Sequence, residues 1–190
     1  MLMSGPPGAG KTLLASRLPT ILPPMTEAEA IESAALTSMS EHRFNADCCC
    51  QRPFRAPPDT VSGVTLVGGG FTPRLGDISL AHHGVLVLDE LTEFDCRGLE
   101  VLREPLETGC IMISRAARQA EFPARFQLIG VMNPCPQGYD CDLRANCSCT
   151  PEQQRRHRAH VGAIIRLHRP AHRSAERVAR SPAQQYQPAR

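Results

Sequence analysis

Eight residues near the N-terminus, Gly5-Pro6-Pro7-Gly8-Ala9-Gly10-Lys11-Thr12, satisfy the pattern G-x-x-x-x-G-K-[S/T] at every fixed position. Nothing else in the chain restricts its fold so strongly. Glycines at these places let the backbone curl until several N–H groups point inward. A helix beginning near Lys11 aims its positive end at the same point, which makes an anion site. In that reading Gly5 through Leu13 cradle the phosphates of a nucleotide. Lys11 reaches the β and γ phosphates as a point charge, and the Thr12 hydroxyl ligates Mg²⁺. The alternative is a chance glycine turn ahead of a helix. Met1 to Met3 is a short apolar stub, read as the end of a strand, and the sequence from Lys11 onward has helical spacing. Strand, loop and helix in that order favour the phosphate site.

A phosphate loop needs a second strand to bring a metal-binding acid, and Val85-Leu86-Val87-Leu88-Asp89-Glu90 has that form. The apolar run suits a strand buried on both faces of a parallel sheet. Its C-terminal end, where α/β sheets bind ligands, carries two carboxylates. Asp89 is positioned to hold Mg²⁺ through its water shell, and Glu90 to polarise the water that attacks the γ phosphate. Alone, such a run is also an ordinary strand-to-loop transition. Asn133 ends a further apolar strand, Phe126 to Met132. It either orients the attacking water or contacts the γ phosphate, or it simply opens the turn before Pro134.

Strands alternating with helical patterns predict an α/β fold. Lys11 to Leu18 reads as a helix with Leu14 and Leu18 on its inner face, broken by Pro19. Thr26-Glu27-Ala28-Glu29 has capping-box order and starts a second helix, with Ala28, Ile31, Ala35 and Met39 as its expected buried stripe. Gly68-Gly69-Gly70 reads as a flexible turn, and Ile78 to His83 as a short helix ended by Gly84. Leu99, Leu102 and Leu106 mark one amphipathic helix, kinked in its last turn by Pro105 and closed near Gly109. Ile111 to Ser114 and Ala120 to Phe122 are the arms of a hairpin.

The 190 residues suffice for one domain, and a hydrophobic fraction of 42% fills a core of mostly aliphatic side chains. A formal charge of +2 points to no polyanionic partner, so any nucleic-acid contact must come from a local patch. No run of 18 apolar residues predicts a membrane span, no charged-then-apolar leader is visible, and the expected compartment is the cytoplasm. With those features the nine cysteines are expected as thiols or metal ligands rather than a disulfide framework. Cys135, Cys141, Cys147 and Cys149 fall in one short loop. Four thiolates there suit structural Zn²⁺, although no C-x-x-C pair is present, and loop thiols without metal are the other reading. Cys48-Cys49-Cys50 is too tightly spaced for one metal.

The order of phosphate loop, Asp-Glu strand and Asn strand resembles the AAA+ ATPases. Within them it resembles the magnesium-chelatase-like branch that includes the ComM/YifB proteins. The phrases carrying this are Pro53-Phe54-Arg55-Ala56-Pro57, Leu66-Val67-Gly68-Gly69-Gly70, Ser79-Leu80-Ala81-His82, Val101 to Glu107, Phe122-Pro123-Ala124-Arg125-Phe126 and Met132-Asn133-Pro134-Cys135-Pro136. The resemblance runs from the N-terminus to about Arg158. It implies a P-loop NTPase core of three αβα layers around a parallel sheet. Lys11 and Thr12 would be Walker A, Asp89 and Glu90 Walker B, and Asn133 sensor 1. The Ile111–Phe122 hairpin would be the one before sensor 1, which can face DNA in related motors. ATP and Mg²⁺ are the implied cofactors, a homo-oligomeric hexameric ring the implied assembly, and DNA the implied partner, with helicase or branch-migration work in natural transformation as the task. A magnesium-chelatase motor subunit driving metal insertion into a porphyrin is the second reading, and a degenerate nucleotide-binding remnant the third.

The chain departs from the family pattern at several places. Pro58 and Asp59 stand where two His are usual, and Gln137 where a second Cys is usual. Residues 1–158 form the expected ATPase core. Residues 159–190, rich in Arg, Pro and Gln, form an atypical tail expected to be disordered, either a wrong-frame continuation or an unrelated end. A family-like Leu-Leu-Asp-Arg phrase and the helical lid do not follow Arg158. In such rings a neighbour's Arg completes the γ-phosphate site and supplies about 10³-fold or more in rate. The 190-residue chain is therefore expected to bind ATP with measurable affinity but turn it over very slowly, without stimulation by DNA. Grafting a family-like end after Arg158 should restore turnover. Robust DNA-stimulated hydrolysis by the chain itself, in a phosphate-release assay, would overturn that expectation.

Overall fold

In the computed structural model the described residues are 1–40, 50–69, 74–115, 118–138 and 147–162. Three segments that the sequence marks as apolar become adjacent parallel strands. They are β1 (Leu2–Ser4), β3 (Val85–Leu88) and β6 (Gln127–Met132), and β2 (Phe54–Arg55) adds an edge. The sheet order is β1-β6-β3-β2, and every pairing in it is parallel. Register places Ser4 beside Met132 and Leu88 beside Gly130. All three long-range strands therefore end within about a residue or two of one another along the same edge.

All four β3 residues are buried, as expected for a strand covered on both faces. Side chains alternate across a strand. Val85 and Val87 pack with Ile129, Val131 and Ala15, whereas Leu86 and Leu88 join Leu66, Ile78, Leu99, Leu102 and Leu106. The sheet is thus clothed by α1 (Lys11–Ile21) on one face. The other face is covered by α3 (Gly63–Val67), α4 (Asp77–Leu80), α5 (Cys96–Glu100) and α6 (Arg103–Thr108). The hairpin of β4 (Cys110–Arg115) and β5 (Arg118–Pro123) is antiparallel, with Ile111 opposite Phe122. Ile111 and Ile113 are buried and Met112 between them is exposed.

Four local expectations are corrected. Pro19 does not break α1, which runs on to Ile21. The lost N–H costs one bond near the helix end, and the real stop is Pro23, which forces Leu22 out of the helical region. The inner face of α1 is Ala15 and Leu18, while Leu14 is 62% exposed. Leu99, Leu102 and Leu106 are all buried, but on two short helices rather than one. Pro105 lies in the first turn of α6, where a missing N–H breaks no intrahelical bond, so it starts that helix instead of kinking its end. Gly109 closes α6 in the left-handed conformation, as expected.

The largest correction concerns α2 (Glu27–Ser38). Its start is as expected: Thr26 caps it, the Glu29 N–H donating to the Thr26 hydroxyl and the Thr26 N–H to Glu29 Oε2. Its buried residues, however, are Ser33 and Leu36, and Ala28, Ile31, Ala35 and Met39 are exposed. The helix is turned by polar contacts. Glu29 and Glu32 face His82, His83 and Arg52, which commits the Glu29–Ser33–Leu36 side to the body of the domain. Leu36→Ala should therefore cost about 2–5 kcal/mol in urea unfolding, the range for a truncated core leucine. Ile31→Ala should stay within about 0.5 kcal/mol. Equal losses at the two positions would mean that the opposite face is buried.

Candidate nucleotide site

The turn between β1 and α1 has the backbone that its glycines allow. Gly8 has φ +75° and Gly10 φ +76°, a region that side chains with a Cβ rarely adopt, and nothing lies within 4 Å of where a Cβ would be built on either. That open space faces a helix start of unusual chemistry. Gly10 is the N-cap of α1, no side chain caps it, and the first turn holds no acidic residue. The helix's initial N–H groups normally need a capping oxygen. Here a phosphate fits that role, and the residues present suit one.

The Lys11 ammonium bends back over the loop. It donates to Gly5 O at 2.7 Å, Pro6 O at 2.8 Å and Asn133 Oδ1 at 3.1 Å. Three donors meet three oxygens, so the ammonium is fully satisfied. Asn133 follows directly on β6, and the contact ties the end of that strand to the loop after β1. The Gly5 N–H donates to Met132 O at 3.4 Å, which continues the β1–β6 pairing into the loop.

Thr12 donates its hydroxyl proton to Asp89 Oδ2 at 2.6 Å. This leaves the hydroxyl lone pairs available to a cation. Hydroxyl and carboxylate oxygens beside a phosphate site match the donor preference of Mg²⁺, which takes few protein oxygens and retains waters. Asp89 Oδ1 accepts the Glu90 N–H at 2.9 Å, so the carboxylate is oriented by its own backbone. Glu90 has φ +50° and an exposed side chain. The bend lets Leu91 turn back, its N–H donating to Val131 O at 2.8 Å. Lys11, Thr12, Asp89 and Asn133 are thus brought into one linked set, whereas the Glu90 side chain stands outside it.

Of the four loop cysteines, Cys135, Cys147 and Cys149 come together, their sulfurs all within 4.8 Å of one another. Cys141 lies outside the described residues, as do Cys48, Cys49 and residues 163–190, the greater part of the predicted tail. The remaining tail residues, 159–162, continue a helix over 151–162, here α7.

The family profile described as "Magnesium chelatase, subunit ChlI" matches residues 1–168. The competence protein ComM of Haemophilus influenzae is 55% identical over 139 residues, 73% of this chain and 27% of that protein. The protein YifB of Salmonella typhimurium is 51% identical over 162 residues, 83% of this chain and 31% of that protein. The chain belongs to the magnesium-chelatase-like AAA+ ATPase family. A magnesium-chelatase 67 kDa subunit from Chlorobaculum tepidum matches more weakly, at 30% over 71 residues, 37% of this chain and 12% of that protein. The chain thus spans under a third of the length of ComM and YifB. No helix among the described residues is long and apolar enough to cross a membrane.

This member of the family also carries a polar cluster that reading by motif missed. Ser79-Leu80-Ala81-His82 counts toward the resemblance, yet nothing in it suggests that His82 is 2% exposed. Its Nδ1 accepts the Arg125 N–H at 3.0 Å, so in the neutral ring the proton sits on Nε2, facing Glu32 Oε2 at 3.2 Å. His83 Nε2 meets the same carboxylate oxygen at 2.7 Å, and the His83 N–H donates to Arg125 O. The available signal was two acids three apart on α2 and an adjacent His pair. Glu32, His82 and His83 are close enough together to hold a metal. The tautomer argues against it: with Nδ1 occupied as an acceptor, Nε2 keeps its proton and offers no lone pair. The cluster instead pins α2 to the turn before β3 and to the segment leading into β6.

Burial lowers the His82 pKa below its ordinary 6.5, with the Glu32 hydrogen bond opposing in part. The folded state therefore binds fewer protons at this residue than the unfolded chain does. Stability is at its full value above about 6.5 and declines as pH falls from there through the lowered folded value. Urea unfolding measured across that window should show the decline, and His82→Asn should flatten it. A wild-type profile flat from pH 7 to the carboxylate range would exclude this account.

Proposed function

We propose that this chain is the ATP-binding and ATP-hydrolysing module of a ring-forming AAA+ motor that acts on DNA. The observation that supports it is the linked set Lys11, Thr12, Asp89 and Asn133 at one edge of the sheet, beside a glycine cradle. Gly5 to Leu13 hold the triphosphate, the loop and helix N–H groups meeting its oxygens. Lys11 exchanges Gly5 O and Pro6 O for phosphate oxygens, a trade of neutral acceptors for anionic ones that strengthens each bond. The same exchange loosens its contact with Asn133, so that Asn133 is free to face the γ phosphate or the attacking water. Thr12 and Asp89 are the metal residues. Bound Mg²⁺ supplies charge neutralisation on the transferred phosphoryl group.

Glu90 is the residue proposed to polarise water. Its backbone is left-handed and its side chain is exposed, whereas Asp89 is held by Thr12. Two carboxylates in sequence thereby take separate tasks, one on the metal and one on the nucleophile.

The parent assembly is proposed as a homo-oligomeric hexameric ring, with the β4–β5 hairpin toward DNA. Similarity to ComM over most of this chain favours DNA processing. The alternative, a motor for metal insertion into a porphyrin, draws on a shorter and weaker similarity to a magnesium-chelatase subunit. An ATPase assay with and without DNA on the full-length parent separates the two: stimulation supports the first reading, and indifference to DNA the second.

Lys11→Ala should remove measurable Mg·ATP binding in a calorimetric titration, since it deletes at least two charge-assisted phosphate contacts, each worth about 1.5–3 kcal/mol. Asp89→Asn should leave nucleotide binding in place but diminish its dependence on Mg²⁺. Unchanged Mg·ATP affinity in Lys11→Ala would sink the assignment of the phosphate site.

A further inference from the structure

We infer that Cys135, Cys147 and Cys149 are ligands of a structural Zn²⁺ that clamps the end of β6, the start of α7 and the phosphate loop together. The distances carry the inference. Cys135 Sγ lies 3.6 Å from Cys147 Sγ and 3.8 Å from Cys149 Sγ. Zn–S bonds of about 2.3 Å at tetrahedral angles put neighbouring sulfurs about 3.8 Å apart. A disulfide would hold two sulfurs at about 2.05 Å, so Cys135 is not bonded to Cys147 or Cys149. Three sulfurs thus occupy three of the four corners around one tetrahedral thiophilic cation, the fourth being left to a ligand outside this trio, and Cys135 among them is buried. Thiolate donors select Zn²⁺ over the oxygen-seeking Mg²⁺ of the nucleotide site, so the two metals do not compete.

The surrounding bonds are those of a built site. Cys135 opens a tight turn, the Gly138 N–H donating to Cys135 O at 2.8 Å. Gln137 Oε1 accepts both the Ser148 N–H at 3.2 Å and the Ser148 hydroxyl at 2.9 Å, which holds the two cysteine-bearing strands of the loop side by side. After Cys149, Thr150 caps α7: its hydroxyl accepts the Gln153 N–H, and its own N–H donates to Gln153 Oε1. The turn also rests on the phosphate loop. A Cβ built on Gly138 would lie 2.5 Å from Pro7 Cγ, so the backbone there is already against the proline ring. One cation would therefore fix α7, which carries Arg155, Arg156 and Arg158, relative to Asn133, two residues before Cys135, and to Pro7.

The test reads metal, not catalysis. The full chain, purified without a metal-affinity tag in reducing buffer, should carry about one Zn²⁺ by elemental analysis. Cys135→Ser should lose it, and Cys50→Ser should keep it. Cobalt substituted for zinc should give a thiolate charge-transfer band and the visible spectrum of a tetrahedral site. Should Cys135→Ser fail to fold, titrating the unaltered chain with a mercurial reagent should release zinc in step with thiol loss. Metal-free protein whose Cys135, Cys147 and Cys149 alkylate at the same rate with and without added Zn²⁺ would overturn the inference. So would a disulfide between any two of these cysteines under the same reducing conditions.

Discussion

Strand β6 lies between β1 and β3, bonded to both, and the site depends on that placement. The glycine loop of the candidate phosphate site follows β1 and Asp89 follows β3. Those strands are not neighbours, and β6 alone sets their separation and register. Because all the pairings are parallel, each strand delivers its candidate site residue to the same edge. Gly130 is central to this. A Cβ there would meet Leu91 Cδ2 at 2.4 Å and Leu2 Cδ1 at 3.0 Å, so side chains from both neighbouring strands' segments close over it. The hydrogen bond between Lys11 and Asn133 is a consequence of this order: a residue that ends the middle strand necessarily stands between the two flanking loops.

What could be read before the fold was known divides by the range of the cause. The glycine turn between β1 and α1, the buried β3, the hairpin and the Thr26 cap are set by short-range rules, and each lies where its local pattern places it. The buried faces of α1 and α2 depart from their apolar patterns for a different reason. In α2 the apolar residues Ala28, Ile31, Ala35 and Met39 satisfy helical spacing, yet the helix buries Ser33 and Leu36. Tertiary partners decide the matter: Arg52 reaches Pro23 O, His83 O and Glu29 from a segment more than twenty residues away. No pattern within α2 encodes where Arg52 and the His pair will stand. The candidate site was more legible than the helices because its residues are specified by chemistry at fixed spacing. Its linkages, Thr12 to Asp89 and Lys11 to Asn133, span 77 and 122 residues and required the sheet order.

The exposed residues on α2, with Leu13, Leu14 and Ile21 on α1, have the same explanation in reverse. Single exposed apolar side chains are ordinary on a protein surface. Their presence at core-like spacing is what misleads, because periodicity reports that a helix has an apolar side and does not say what that side touches.

The cysteine turn brings the same logic to the loop after β6. A loop of about a dozen residues separates Cys135 from Cys147, and holding its ends together costs chain entropy that grows only slowly with length. Within the described part of that loop the holding contacts are polar and partly exposed, chiefly Gln137 with Ser148. Such hydrogen bonds each contribute about 1 kcal/mol net, no more than the cost of ordering a single residue. Metal–thiolate bonds operate on a larger scale, since binding free energy at structural zinc sites of about 10 kcal/mol or more is also folding free energy. With zinc bound as proposed, Pro7 would share that rigidity through its contact with Gly138. A phosphate loop must keep its N–H groups aimed inward, and Gly138 pressed against the Pro7 ring limits how far the loop can open.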